Sequence, residues 1–345
     1  MHTKSIPCSK IFDGTIKGFL SPAAASWIFF RQIMVGRKQD LITIDVLGVT
    51  IRTVTVQQLR MGIPKGSLES ASIALFQQAG WSITTRSRNY FPDIDDPEMS
   101  CALVRSQEMA LYVENGTLDL GLTGHDWILE TQADVTEVCE LVYSKSTDQA
   151  ARWVLIVRDN STVQSIADLE GKRIATELVG FTKRYLEERG VTAKVEFSWG
   201  ATEAKVVEGL VDAAVEITET GTTIKAHGLR IVCDLLYTHT RLIANRTAMI
   251  DFWKKRKIDQ IALLLQAALA ARRKVALKMN APVGKIDRIV AMLPSLQAPT
   301  VSHLYNREWL AVETVVSSGE IRDLIPRLRM AGAEGILEYE LRKIV

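Results

Sequence analysis

The stretch Glu216-Ile217-Thr218-Glu219-Thr220-Gly221-Thr222-Thr223 gathers two carboxylates, four hydroxyls and a glycine within eight residues. It follows the apolar run 211–215, broken only by Asp212, and leads into Ile224-Lys225-Ala226-His227-Gly228. That order reads as strand, polar loop and short helix. A Thr-Gly-Thr-Thr loop at a helix N-terminus brings backbone N–H groups, hydroxyl donors and the positive end of the helix dipole to one point, which suits a phosphate monoester. A carboxylate at the strand end, here Glu216, accepts hydrogen bonds from sugar hydroxyls beside that phosphate. These residues therefore point to a sugar phosphate. The competing reading is an ordinary strand-to-helix turn, in which Thr and Gly serve as caps.

The elements that would position this loop come from a chain of 345 residues, enough for two or three domains, with 47% hydrophobic residues to fill their cores. The 42 Lys and Arg nearly cancel the 40 Asp and Glu. A net charge of +2 gives no overall field for nucleic acid or a charged membrane surface, so any phosphate is held by local groups. Cys8, Cys101, Cys139 and Cys233 are far apart and make neither a disulfide framework nor a zinc pattern, which fits a reducing cytoplasm.

Strands and helices alternate from Leu59 onward. The pattern predicts a strand over 59–64 and a helix capped by Ser67, with Leu68, Ser72, Leu75, Phe76 and Ala79 on one face and Gly80 as its stop. Strand 81–85, an acidic proline-containing loop 91–97, strand 99–104, helix 108–113 and a buried strand 118–124 ending at a glycine turn complete a first α/β unit. A second unit begins near Ala150 with strands 152–157, 173–176 and 195–197, helices 181–188 and 202–208, and the Glu216 strand. Strands 230–236 and 241–244 return toward the first unit. Two such lobes leave a cleft between them, and ligands of these sheets bind at the carboxyl ends of strands, where Glu216 to Thr223 lie.

A long helix over 251–271, with Ile258, Ile261, Leu265 and Ala268 in a stripe, carries Lys254, Lys255, Arg256 and Lys257, which argue against a membrane role. Beyond it, strand 274–279, helix 285–293, strands 300–304 and 309–316, helix 319–330 and strand 335–341 read as βαββαβ, a ferredoxin-like module. Residues 1–56 are unassigned. Their apolar stretch 18–30 is broken by Pro22, and a disordered extension, a targeting segment and a start codon placed too far upstream compete, with the last favoured because organised structure begins almost at Met61.

Several ordered stretches resemble one family. Leu59-Arg60-Met61-Gly62-Ile63-Pro64-Lys65-Gly66, Leu118-Asp119-Leu120-Gly121-Leu122-Thr123-Gly124-His125-Asp126, Gly171-Lys172-Arg173-Ile174-Ala175-Thr176 and Gly209-Leu210-Val211-Asp212-Ala213-Ala214-Val215-Glu216, with Thr220-Gly221-Thr222-Thr223, are similar to ATP phosphoribosyltransferase. The likeness runs from about residue 58 to the C-terminus. Ala281-Pro282, Leu293-Pro294, Ala298-Pro299-Thr300 and Val316-Ser317-Ser318 resemble the regulatory domain of the long form. The resemblance implies a two-lobed, periplasmic-binding-protein-like catalytic core, with lobe I at 57–149 plus 236–270, lobe II at 150–235 and a regulatory domain at 271–345.

It further implies condensation of ATP with phosphoribosyl pyrophosphate (PRPP) at N1 of adenine, release of pyrophosphate, Mg²⁺ carried on that pyrophosphate, and feedback inhibition by histidine. A homo-hexamer in equilibrium with a dimer, and no separate regulatory subunit, are also implied. Where the family often has Asp, this chain has Glu216.

Adenine N1 carries a free lone pair at neutral pH, so alignment and charge stabilisation suffice without a strong base. In this scheme Glu216 holds ribose hydroxyls and favours a cationic ribose, Glu219 is the alternative carboxylate, and Thr220, Gly221, Thr222 and Thr223 hold the 5′-phosphate. Lys65 and Gly66, with Arg88, face the triphosphate or pyrophosphate. Gly124, His125 and Asp126 form a turn suited to ATP, with a helix cap as the other reading of Asp126. Histidine is expected near Asn280 and Thr300, and strand termination is the alternative for both. Two other functions compete with the transferase: a two-lobed solute-binding protein and a catalytically silent regulatory relative.

Overall fold

The structure is a computed structural model and describes residues 42–46, 49–53, 57–86, 89–143, 151–294 and 298–345. It divides into two units, Met1–Gln57 and Gln58–Val345. In the first, β1 (Ile42–Val46) pairs antiparallel with β2 (Val49–Thr53), a hairpin inside the extension to which the sequence pattern assigns no element. The apolar stretch 18–30 lies outside the described residues.

The second unit opens with β3 (Leu59–Lys65), α1 (Glu69–Ala79), β4 (Ile83–Thr84), β5 (Asp93–Ile94), β6 (Met99–Arg105), α2 (Ser106–Glu114), β7 (Leu120–Gly124), α3 (His125–Thr131) and β8 (Thr136–Leu141). The face predicted for α1 buries Ser72, Leu75, Phe76 and Ala79. Ser67, however, is not its cap: Leu68 takes that position and no side chain caps the helix. The strand expected over 81–85 shrinks to β4, because its partner β5, inside the acidic loop, is only two residues long.

The chain continues with β9 (Ala151–Arg158), β10 (Arg173–Thr176), α4 (Val179–Glu187), β11 (Lys194–Phe197), α5 (Thr202–Val207), β12 (Ala213–Thr218), α6 (Thr222–Ala226), β13 (Leu229–Thr238) and β14 (Thr240–Ala244). Two five-stranded mixed sheets result, ordered β6-β3-β7-β14-β8 and β11-β10-β12-β9-β13. The chain leaves the second sheet at Thr238 and enters the first at Thr240, so one residue, His239, joins the two. Each sheet has its own apolar core, one around Leu59, Phe76, Leu122 and Leu265, the other around Trp153, Leu155, Ile174 and Val215.

After α7 (Arg246–Ile250), helix α8 (Phe252–Ala271) buries Ile258, Ile261, Leu265 and Ala268, the predicted stripe, against the first sheet. Among its basic residues Lys257 is structural: its Nζ lies 2.7 Å from Asp96 and 2.8 Å from Glu98, holding the acidic loop to the helix. At the amino end of the first sheet, buried Asp119 accepts from the Arg60 backbone N–H at 2.8 Å and from Lys254 Nζ at 2.7 Å.

The C-terminal module comprises β15 (Lys274–Pro282), α9 (Ile286–Val290), β16 (Thr300–His303), β17 (Trp309–Ser317), α10 (Ile321–Ala331) and β18 (Glu334–Glu340). Its sheet order β16-β17-β15-β18, antiparallel throughout, is the ferredoxin-like arrangement expected from the βαββαβ pattern. Its last residues return to the first lobe, where Lys343 Nζ donates to Ala79 O at 2.8 Å and the Ile344 N–H to Ala267 O at 3.0 Å.

Candidate active site

Strand β12 is central in the second sheet, parallel to β10 on one side and antiparallel to β9 on the other. A strand end at such a change of direction opens a crevice, and Glu216 stands there with the loop 219–221 beyond it. Burial pushes the Glu216 carboxyl up to about 7, and the neighbouring carboxylates Glu203 and Glu177 add to the effect. The Thr202 hydroxyl and the Ile217 N–H, 3.3 Å from Glu216 Oε1, oppose it.

The loop turns at Gly221, which is buried with φ +75°, and a Cβ there would come within 3.2 Å of Ile231 Cδ1. Any side chain would meet both strain and a neighbour. Thr218 Oγ1 accepts from the Gly221 N–H at 2.9 Å, and the Thr220 and Thr222 hydroxyls lie 2.9 Å apart. Thr220, Thr222 and Thr223 are exposed, and Glu219 is half-buried at the start of the loop. Helix α6 has only five residues, so the dipole invoked from the sequence is small. The donors that matter are the hydroxyls and first-turn N–H groups.

In the first lobe, Lys65 ends β3 in register with Arg105 of β6, with its Nζ 3.8 Å from the Tyr90 ring centroid. Gly66 follows, exposed, at φ +109°. Gln107 Nε2 approaches Glu177 Oε2 at 3.5 Å, so the carboxyl ends of β6 and β10 face each other. Arg88 lies outside the described residues. His227 is exposed.

The turn after β7 is tied into the fold by its own side chains. Asp126 is 3% exposed, and its carboxylate accepts from Trp153 Nε1 at 2.8 Å and Thr238 Oγ1 at 3.0 Å. Burial pushes its carboxyl up in spite of those donors. Its carboxylate ties the turn after β7 to β9 and to the end of β13, a junction between the lobes. Gly124 belongs to the same junction, since a Cβ on it would lie 2.0 Å from Asp126 Oδ1. His125 donates its backbone N–H to His239 O at 3.0 Å, and its Nδ1 lies 3.4 Å from Glu137 Oε2. A second tie sits nearby: Glu130 accepts from the Gly180 and Phe181 N–H groups at 2.8 and 2.7 Å, at the start of α4.

In the C-terminal sheet, Thr300 pairs with Glu313, which pairs with Lys278, while Asn280 pairs with Ala311. Strand alternation puts Asn280 and Thr300 on the same face, on strands separated by β17.

Sequence reading missed Ser198, Thr202 and Lys205, which back Glu216. The available signal was a second glycine-containing strand-to-helix loop, Ser198-Trp199-Gly200-Ala201-Thr202. Gln107 and Glu177 carried no local signal.

A family model described as ATP phosphoribosyltransferase matches residues 105–267, and one described as HisG, C-terminal domain, matches residues 271–343. The chain is 59% identical over 287 residues to the ATP phosphoribosyltransferase of Desulfatibacillum aliphaticivorans, an alignment spanning 83% of this chain and 98% of that protein. It is 57% identical over 287 residues to ATP phosphoribosyltransferase 1 of Geobacter sulfurreducens, spanning 83% of this chain and 99% of that one. Among solved structures, the ATP phosphoribosyl transferase (HisG:HisZ) complex from Thermotoga maritima superposes with TM-score 0.53 at 26% identity, over 61% of this chain and 96% of that chain.

Proposed function

Because this chain belongs to the ATP phosphoribosyltransferase family, in its long form with the C-terminal domain, we propose how its own residues carry out that family's reaction. The reaction moves the phosphoribosyl group of PRPP onto N1 of ATP, with loss of pyrophosphate, as the first step of histidine biosynthesis; inhibition by histidine is typical of the family. In our reading ATP and PRPP bind between lobe I (57–149 plus 236–270) and lobe II (150–235), with 271–345 regulatory. The observation that carries the assignment of roles is the placement of Glu216 and the Gly221 turn at the carboxyl end of one central strand.

Thr220, Thr222 and Thr223, with N–H groups of the loop, hold the 5′-phosphate. Glu216 as an anion accepts from ribose hydroxyls and stabilises the cationic ribose as pyrophosphate departs. Lys65 leaves the Tyr90 face for a phosphate, a stronger partner than an aromatic ring. Glu219 is the alternative ribose ligand; Gly66 and His125 line the ATP side, with Arg88 added to it from the sequence.

The family needs a metal, and we assign Mg²⁺. In our reading the ion is carried by pyrophosphate oxygens and water, as suits a cation that sheds its water shell reluctantly. Bound there, it would neutralise charge on the leaving group. Among the described residues no helix is long and apolar enough to cross a membrane. A cytoplasmic homo-hexamer in equilibrium with a dimer, without a separate regulatory subunit, completes the proposal.

Thr223→Val tests the phosphate assignment. Loss of one hydrogen bond to a charged group predicts a rise in the PRPP KM of roughly 10–100-fold with the ATP KM nearly unchanged; an equal rise for both removes the assignment. Deleting 272–345 is expected to abolish inhibition by histidine. Inhibition that survives the deletion places the effector outside the C-terminal module and away from Asn280 and Thr300.

A further inference from the structure

Behind Glu216 lies a line of side chains that the family's reaction does not by itself require. Lys205 Nζ donates to Ser198 Oγ at 2.8 Å, and Ser198 Oγ lies 2.9 Å from Thr202 Oγ1. The Thr202 hydroxyl in turn faces the Glu216 carboxylate. Ser198 and Thr202 are buried at 0% and 1% exposure, so water does not compete for their protons. The Ser198 N–H bonds Thr176 O at 2.9 Å, which fixes the line to the end of β10.

The direction of this chain follows from donor counting. An ammonium only donates, and a hydroxyl has one proton to give. With Ser198 Oγ accepting from Lys205, its own proton is free for Thr202, and the Thr202 proton is then free for Glu216. Glu216 can take that proton as the neutral acid through its carbonyl oxygen or as the anion, and the bond is the stronger one when the acceptor is charged. Reversal would turn the Ser198 proton away from Thr202.

We propose that Lys205, Ser198 and Thr202 form a directional hydrogen-bond chain that positions the Glu216 carboxylate and favours its anion. This rests on the reading of Glu216 as the ribose contact. The chain works against burial and against the carboxylates of Glu203 and Glu177, the charged groups that face Glu216 alongside it. Lys205 supplies the only cation in this line, relayed through two hydroxyls. The three are positioning residues, since none of them is assigned a contact with substrate.

The test is the pH dependence of kcat/KM for PRPP, measured on the full-length enzyme. Removing the Thr202 donor moves the acid limb upward, so Thr202→Val is expected to raise its midpoint by about one pH unit, while Thr202→Ser restores the wild-type position. Lys205→Met is expected to shift the limb in the same direction by less. Circular dichroism checks that each variant is folded, and Lys205→Met, which leaves Thr202 in place, keeps the test decisive if the valine variant does not fold. An unmoved limb in Thr202→Val and Lys205→Met overturns the chain, as does a Thr202→Ser limb displaced as far as that of the valine variant. Glu216→Gln separates the two levels: full activity in that variant overturns the ribose assignment itself, whereas full activity cannot follow from failure of the chain alone.

Discussion

Replacing Glu216 with glutamine is expected to lower kcat by about 10²–10³-fold, the usual loss when a group aimed at transition-state charge is removed. The amide keeps the shape but carries no negative charge to set against a cationic ribose. In the wild type the working form is the anion, and burial places its titration at about 7, so activity falls as the solution is acidified below that point. kcat/KM for PRPP is expected to rise about tenfold per pH unit below the midpoint and to level off above it. In Glu216→Gln this limb disappears.

The same raised value has an opposite consequence for stability. The folded state binds the Glu216 proton more tightly than the unfolded chain does. Stability therefore declines as pH rises from about 4.5 to about 7, through the interval between the two values. Glutamine removes that penalty, and the ligand-free variant is expected to be more stable than wild type at pH 8 by on the order of 2–3 kcal/mol. Urea unfolding beside steady-state kinetics checks both halves. A variant that is inactive and also less stable would show that Glu216 serves packing instead of charge.

Asp119→Ala is expected to have the largest effect on stability, with little on chemistry. Asp119 stands at the amino end of β7, away from the crevice, with its side chain 5% exposed and bridging Arg60 and Lys254. Burial alone would push its carboxyl up, but the bonds from Arg60 and Lys254 together hold it below the usual carboxylate range. Its contribution is thus present above the unfolded value and lost as pH falls through the folded one, which places the loss below pH 4. Removing one partner of a buried pair costs about 3–5 kcal/mol, and the lower end applies here because both cations reach solvent. Thermal and urea unfolding at pH 7 measure it, with kcat at a permissive temperature as the control. A loss under about 1 kcal/mol would mean that the bridge is replaced by water.

Much of the molecule was legible in its amino acids for reasons that can be named. The stripe Ile258, Ile261, Leu265 and Ala268 is buried because helical spacing and apolar character agree, and no tertiary contact competes with them. The βαββαβ order of the last module led to its sheet because short connections leave few arrangements open. Thr220-Gly221-Thr222-Thr223 was visible because its chemistry is contiguous along the chain.

Asp126 was not legible in this way. Its neighbours Gly124 and His125 lie at a strand end like any substrate turn, and only the folded molecule brings Trp153 and Thr238 to its carboxylate. Ser67 failed as a cap because the chain enters α1 through Leu68, a backbone choice that composition does not record.

The sequence by itself determined the family, the alternation that builds two lobes and a ferredoxin-like module, and the loop that begins at Glu216. These depend on periodicity and on contiguous residue types. The tertiary structure alone decided which charges act on those residues. It placed Ser198, Thr202 and Lys205 behind Glu216, Glu177 and Glu203 beside it, and Asp126 in the junction between the sheets. The physical reason is that a carboxylate's ionisation and reach depend on burial and on donors distant along the chain, and folding is what brings those groups together.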